Sequence, residues 1–202
     1  MGRVRFRGKL KTHRYNSMLD YVSQNHCDNI LEIGTHKGHT ASGLIQYSRN
    51  KDMRYYGIDI FLSGWSDDIE KDETSIKPES LEQVRGFLNR YSKNIHLFEG
   101  FSKDVLPEIG KLGVKFDLIW IDGGHSYDTV KSDFLQSLEL LNDNGIIFFD
   151  DYTSDPRLPG IGVKRFIDEL IIEDEYDIKI LNDYVDDYAG NLWRVASVEK
   201  RK

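Results

Sequence analysis

The chain is predicted to be a doubly wound α/β domain with a mostly parallel sheet, helices on both faces and an antiparallel hairpin at its C-terminal end. Three observations predict this. Short apolar runs alternate with segments of helical period along most of the 202 residues, the pattern of βα units around a parallel sheet. Two of the runs, "LIWI" (118–121) and "IIFF" (146–149), are continuous rather than alternating, as in strands buried on both sides. The last two runs are joined by a connection too short for a clear helix, so they pair as a hairpin.

The elements follow in order. Residues 15–24 form a helix with Met18, Leu19 and Val22 on one face. "NILEIG" (29–34) is the first strand, and "THKGHTASGLIQYSRN" is a turn followed by a helix whose Leu44 and Ile45 face the core. "MRYYGIDIF" (53–61) is the second strand, ending at Asp59. Residues 61–80 are polar and irregular, long for a connection in a compact domain, and are a candidate lid in which Trp65 either stacks on a sugar or aromatic ring or is a partly exposed structural residue. "LEQVRGFLNRYS" (81–92) is helical, with Leu81, Val84 and Leu88 in register. The third strand is "NIHLFEG" (94–100), followed by a short helix at "DVLPEI". "KFDLIWID" (115–122) is the fourth strand, "TVKSDFLQSLELL" (129–141) a helix, and "GIIFFDD" (145–151) the fifth strand. A helix over 162–171 leads to the final strands, 176–181 and 192–198. Seven strands in one domain, residues 1–202, account for the chain, with 1–28 a basic segment and helix.

Composition narrows the function. Hydrophobic residues make up 39% and charged residues 30%, as in a water-soluble globular protein. The net charge of -7 argues against nucleic acid as a partner, because an acidic surface repels phosphate backbones. Lysine and arginine cluster in "MGRVRFRGKLKTHR", which reads as a solvated terminus or a phosphate-binding arm. One cysteine, Cys27, rules out an internal disulfide and a cysteine-based zinc site. No apolar run reaches membrane-spanning length, and no apolar stretch follows the basic start to make it a signal peptide. A cytoplasmic location is expected.

Acids stand at or near the carboxyl ends of successive strands: Glu32, Asp59, Glu99, Asp122 and the pair Asp150–Asp151. In a parallel sheet they share one rim, where ligands of open α/β sheets bind. Like charges there need a cation or hydrogen-bond donors among them. The first turn, "LEIGTHKGHT", has Gly34 for a tight turn and Gly38 for close helix approach, but His36 stands where a dinucleotide fingerprint has a middle glycine. Glu32 before the turn disfavours a phosphate and suits a positive amine. Asp59 can take both ribose hydroxyls. An amine-bearing nucleoside without phosphates describes S-adenosylmethionine.

The segments "LEIGTHKGHTA", "YYGIDIF", "LFEGFSKDVLPEI", "FDLIWIDGGHSYDTVKSDF" and "LLNDNGIIFFDDY" resemble the class I S-adenosylmethionine-dependent methyltransferases. More narrowly, they resemble macrocin-type sugar O-methyltransferases and, at greater distance, catechol-type O-methyltransferases. The likeness spans about Asn29 to Leu170 and implies a Rossmann-like fold. It also implies roles for matching residues. Glu32, Gly34, Thr35, His36, Gly38 and Thr40 would surround the methionine part of the cofactor. Asp59 would bind ribose, with Ile60 also at the cofactor, and Gly100, Phe101 and Ser102 would border adenine. Asp122 would lie near the transferred methyl group. In metal-dependent relatives, acids at the positions of Asp122, Asp150 and Asp151 hold a divalent cation, usually magnesium; Asp122 and Asp150 are 28 residues apart here, which agrees. His125 stands where the catechol-type enzymes carry a catalytic lysine.

The chemistry accounts for such a set. Methyl transfer is an in-line displacement that needs an aligned, activated acceptor oxygen. A cation with hard oxygen ligands supplies one route; proton transfer to His125 or Asp122 supplies another. Each feature also has a plain structural reading: Asp150–Asp151 as a turn and cap, His125 as a local hydrogen-bonding residue, Tyr127 and Tyr152 as packing rather than pocket. Arg157 could meet an anionic substrate. The leading expectation is a metal-assisted O-methyltransferase acting on a small molecule or sugar. The alternatives are a metal-independent methyltransferase with an N or O acceptor on a larger partner, a nicotinamide-dependent oxidoreductase, and a non-catalytic binding domain. The small N-terminal cap leaves room for a partner subunit to close the site, a homo-oligomer.

Overall fold

The structure is a computed structural model that describes residues 15–66, 77–154, 160–186 and 192–201, with the backbone alone for 182–186 and 192. Helix α1 (Asn16–Gln24) leads to β1 (Asn29–Ile33), α2 (His39–Tyr47), β2 (Arg54–Asp59) and a one-turn helix α3 (Phe61–Gly64). Then come α4 (Leu81–Leu88), β3 (Ile95–Glu99), α5 (Ser102–Gly110), β4 (Phe116–Ile121) and α6 (Tyr127–Leu140). The chain continues through β5 (Leu141–Tyr152), α7 (Val163–Glu173), β6 (Tyr176–Asp186) and β7 (Leu192–Lys200).

The seven strands form one sheet in the order β3-β2-β1-β4-β5-β7-β6. The first five run parallel, and β7 is antiparallel to both β5 and β6. The fold class expected from sequence is therefore the one observed. Because β2 and β3 are laid to one side of β1, and β4 and β5 to the other, the order reverses between β1 and β4. That reversal opens a crevice at the carboxyl ends of these two strands.

Strand alternation divides the core into two layers. Leu31 and Ile33 of β1 and Ile119 and Ile121 of β4 pack with Leu106, Phe134, Phe166 and Ile167, beneath α5, α6 and α7. Ile30 of β1 and Leu118 and Trp120 of β4 face Met18, Val22, Leu44, Val84 and Leu88, beneath α1, α2 and α4. Both faces of β1 are buried, so its run is apolar except for Asn29 and Glu32.

Some boundaries differ from the sequence pattern for local reasons. Helix α6 starts at Tyr127, two residues early, because the Ser126 side chain accepts a hydrogen bond from Thr129 N and caps it. Helix α4 starts at Leu81 behind a reciprocal pair, Gln83 N donating to the Ser80 hydroxyl and Ser80 N donating to the Gln83 side chain. The segment expected to be irregular after Phe61 begins with α3, and its ends are held by Leu62 N donating to Glu79 O at 3.1 Å. Residues 67–76 of the expected lid, the basic start of the chain and Arg157 lie outside the described residues.

Candidate active site

The crevice is a cavity of about 700 Å³. One end is walled by Ile58, Asp59, Ile60, Gly100, Phe101 and Ser102, with Trp65 and Pro78 beside them. Gly34, His36 and Asp122 stand in the middle. The other end holds His125, Asp150 and Asp151, bordered by Tyr15, Trp193 and the first two turns of α6.

Gly34 makes the crevice possible. Its φ of +95° is open to glycine, and a Cβ there would lie 2.0 Å from the carbonyl oxygen of Asp122. The ends of β1 and β4 meet at this point, with Asp122 N donating to Ile33 O at 2.8 Å. His36 also adopts a left-handed backbone, φ +48°, at the place a middle glycine would occupy in a dinucleotide fingerprint. The strained conformation aims its N–H at Asp59 Oδ2, 2.7 Å away. Asp59 Oδ1 accepts from Phe61 N at 2.7 Å. Asp59 thus ties the first turn to α3 while still facing the cavity. Burial pushes its carboxyl up from the usual value, and these backbone donors oppose the shift.

Glu32 is placed differently from the expectation of an acid facing a ligand amine. Alternation sends its side chain to the same layer as Ile30, where it is 1% exposed and absent from the cavity wall. Tyr55 OH donates to Glu32 Oε2. Desolvation pushes the carboxyl up to about 8, while Oε1, the oxygen that Tyr55 does not reach, has no hydrogen-bond partner among the described residues. Thr35, Gly38 and Thr40 are likewise absent from the cavity wall. Thr35 is buried, with its Oγ1 3.3 Å from Tyr55 OH, and Gly38 caps α2. Thr40 lies in the first turn of α2.

At the far end, His125 Nε2 lies 2.9 Å from Asp151 Oδ2. Asp122, His125 and Asp151 each offer a ligand atom within 4.8 Å of the others. Of the expected metal set, Asp122 and Asp151 converge, with His125 in the place foreseen for Asp150. Alternation is the reason: Asp150 shares the face of Ile146 and Phe148, toward α1. There its Oδ2 accepts from Tyr15 OH at 2.9 Å, and its Oδ1 accepts from Asp151 N at 2.8 Å. Asp151 has φ +59°, a left-handed turn that aims its carboxylate at His125. Two carboxylates and one imidazole are a chemically reasonable set for a divalent cation.

The loop carrying His125 is held by α7. Gly162 N donates to His125 O at 2.7 Å, and a Cβ on Gly162 would lie 2.3 Å from Tyr127 Cα. Tyr127 and Tyr152 are packing residues, as their plain reading had it. Tyr127 OH donates to Glu169 beneath Arg165, and Tyr152 OH donates to Asp168 at 2.8 Å.

Sequence reasoning missed the second half of the wall. Asp128, Thr129, Ser132 and Asp133 of α6 line it, with Tyr15 and Trp193. A signal was present: Asp133 sits between Val130 and Phe134 in the buried stripe of α6, where an apolar residue is the rule.

Comparison with known proteins follows the same outline. The profile of a family described as a methyltransferase domain matches residues 31–152. The O-methyltransferase TomG of Streptomyces achromogenes, involved in tomaymycin synthesis and solved with S-adenosylmethionine, superposes with a TM-score of 0.69 at 18% identity, over 92% of this chain and 79% of that one. An O-methyltransferase from Bacillus cereus, solved with S-adenosylhomocysteine, gives 0.65 at 21% identity, over 91% and 79%. At these identities the likeness is one of fold. A protein of Acanthamoeba polyphaga mimivirus, R132, is 28% identical over 125 residues, 60% of this chain; the match spans about half (50%) of that curated relative's length.

Proposed function

We propose that this chain, which belongs to the methyltransferase-domain family and is a class I S-adenosylmethionine-dependent methyltransferase, methylates a hydroxyl oxygen of a small molecule or sugar. The observation that carries this reading is the single cavity running from Asp59 to the His125–Asp151 pair, with Asp122 between them. Its volume of about 700 Å³ suits a nucleoside beside Asp59 and an acceptor beside His125.

Asp59 accepts the ribose hydroxyls with lone pairs its two backbone donors leave available. Ile60, Phe101 and Trp65 give the adenine an apolar surround that excludes water. Asp122, beside the turn of Gly34, faces the sulfonium carbon and favours its positive charge. The acceptor oxygen attacks the methyl carbon in line as the carbon–sulfur bond breaks, and the sulfur leaves as a neutral thioether. The hydroxyl proton passes to His125 Nδ1, the acceptor nitrogen when Nε2–H donates to Asp151, and the Asp151 carboxylate stabilises the imidazolium.

A second reading is supported by the convergence of Asp122, His125 and Asp151. These residues would hold a divalent cation, which when bound supplies a Lewis acid that orients the acceptor hydroxyl and lowers its pKa. Calorimetry tests both readings. S-adenosylhomocysteine should bind the wild-type chain, and an Asp59→Ala variant should bind it weakly. Failure of the wild type to bind S-adenosylmethionine or S-adenosylhomocysteine would refute the function. A magnesium or manganese signal lost in Asp151→Ala favours the cation; its absence leaves His125 and Asp151 as the activating pair.

A further inference from the structure

We infer that Tyr15 is a latch on Asp150, holding that carboxylate out of the cation-binding set until a cation draws it in. The inference rests on the second reading above. Tyr15 caps the start of α1, outside every strand of the sheet, yet it lines the cavity beside Asp150. Its hydroxyl donates to Asp150 Oδ2 at 2.9 Å. Its ring rests edge-on against Trp120, centroids 5.4 Å apart at 88°. Trp120 is fully buried near the carboxyl end of β4, so the phenol has a rigid support.

Alternation turns Asp150 toward α1, and the bond from Tyr15 holds its carboxylate there, away from Asp122. With Oδ2 bonded to Tyr15 and Oδ1 to Asp151 N, the convergent set is Asp122, His125 and Asp151, one nitrogen and two oxygens. Magnesium prefers oxygen donors throughout. An all-carboxylate set needs Asp150 to release Tyr15 and turn toward Asp122. The hydrogen bond and the cation therefore compete for one carboxylate oxygen, and α1 moves with the outcome. A hydroxyl donating to a carboxylate is among the stronger hydrogen bonds, so the competition is large enough to measure. His125, left out of the all-oxygen set, becomes available to the acceptor.

Magnesium titration of the intact chain by calorimetry tests the latch, using wild type, Tyr15→Phe, Asp150→Asn and the double variant. Phenylalanine keeps the ring on Trp120 and removes only the donor. Tyr15→Phe should bind magnesium about tenfold more tightly than wild type, and this gain should vanish in the Asp150→Asn background. Equal or weaker binding by Tyr15→Phe overturns the latch, as does a gain that persists without Asp150. So does the absence of a magnesium signal in every variant. S-adenosylhomocysteine titrated in parallel separates this failure from failure of the methyltransferase reading. Wild type also gives a readout without substitution: saturating magnesium should shift the ring resonances of Tyr15 in a tyrosine-labelled spectrum, and an unmoved Tyr15 overturns the proposal.

Discussion

His125 Nε2 and Asp151 Oδ2 lie 2.9 Å apart, though they sit on different strand ends and 26 positions separate them in the chain. Three constraints bring them together: the β4–β5 pairing, the left-handed turn at Asp151, and the bond from Gly162 N to His125 O. If this pair accepts the acceptor proton, His125→Ala should lower kcat by about a hundredfold or more. Asp151→Asn should lower it by about tenfold or more, and both should leave S-adenosylhomocysteine affinity near wild type. Release of S-adenosylhomocysteine across a panel of sugar and phenolic acceptors finds the substrate and then reads both variants. Unchanged turnover in His125→Ala would remove the histidine from the chemistry.

Asp59 ties His36 N and Phe61 N to one carboxylate. Asp59→Asn keeps the size but loses charge and one acceptor oxygen. Its affinity for S-adenosylhomocysteine should fall by about tenfold or more, with only a small change in melting temperature. A large loss of stability with intact affinity would make Asp59 a structural clasp alone.

Gly34 and Gly86 should respond to alanine in opposite directions. At Gly34 the new Cβ would strike backbone atoms of Asp122 at a φ of +95°, and the cost should exceed about 2 kcal/mol. At Gly86, inside α4, no atom lies within 4 Å of the new Cβ, and helix propensity should stabilise the fold by about 0.5–1 kcal/mol. Urea denaturation of the two variants measures both.

Glu32 should make the fold less stable as pH rises. Burial pushes its carboxyl up to about 8 in the fold, from an ordinary value of 4.5. Between these values the unfolded chain loses the proton and the folded chain keeps it, so the native state binds more protons and stability falls with rising pH. Above about 8 the loss is complete. Glu32→Gln cannot lose a proton. It should match wild type near pH 4.5 and gain on it steadily toward pH 8, as followed by denaturant midpoints. A difference that does not change with pH would show that Glu32 is ionised in the fold.

The strands, their parallel direction and the acidic rim were legible in the residue pattern alone. Continuous apolar runs such as "LIWI" are stable only inside a sheet covered on both sides, and carboxylates at strand ends collect on one edge of a parallel sheet. The same pattern also brought Gly34, Asp59, Asp122 and Asp150–Asp151 to the carboxyl ends of strands and His125 to the loop after the fourth, but not the α6 residues, Tyr15 and Trp193 that complete the wall. Tertiary structure decided which way each of them faces. Glu32 and Asp59 look alike in the sequence, each near the end of an apolar strand. One is buried against Tyr55, in a setting that pushes its carboxyl up, and the other is held by two backbone donors at the cavity. Asp150 and Asp151 are neighbours, yet one meets Tyr15 and the other His125. A strand turns successive side chains to opposite faces, and the environment on each face is built by helices distant in the chain. That environment sets the charge and partner of each carboxylate, and with them the chemistry of the crevice.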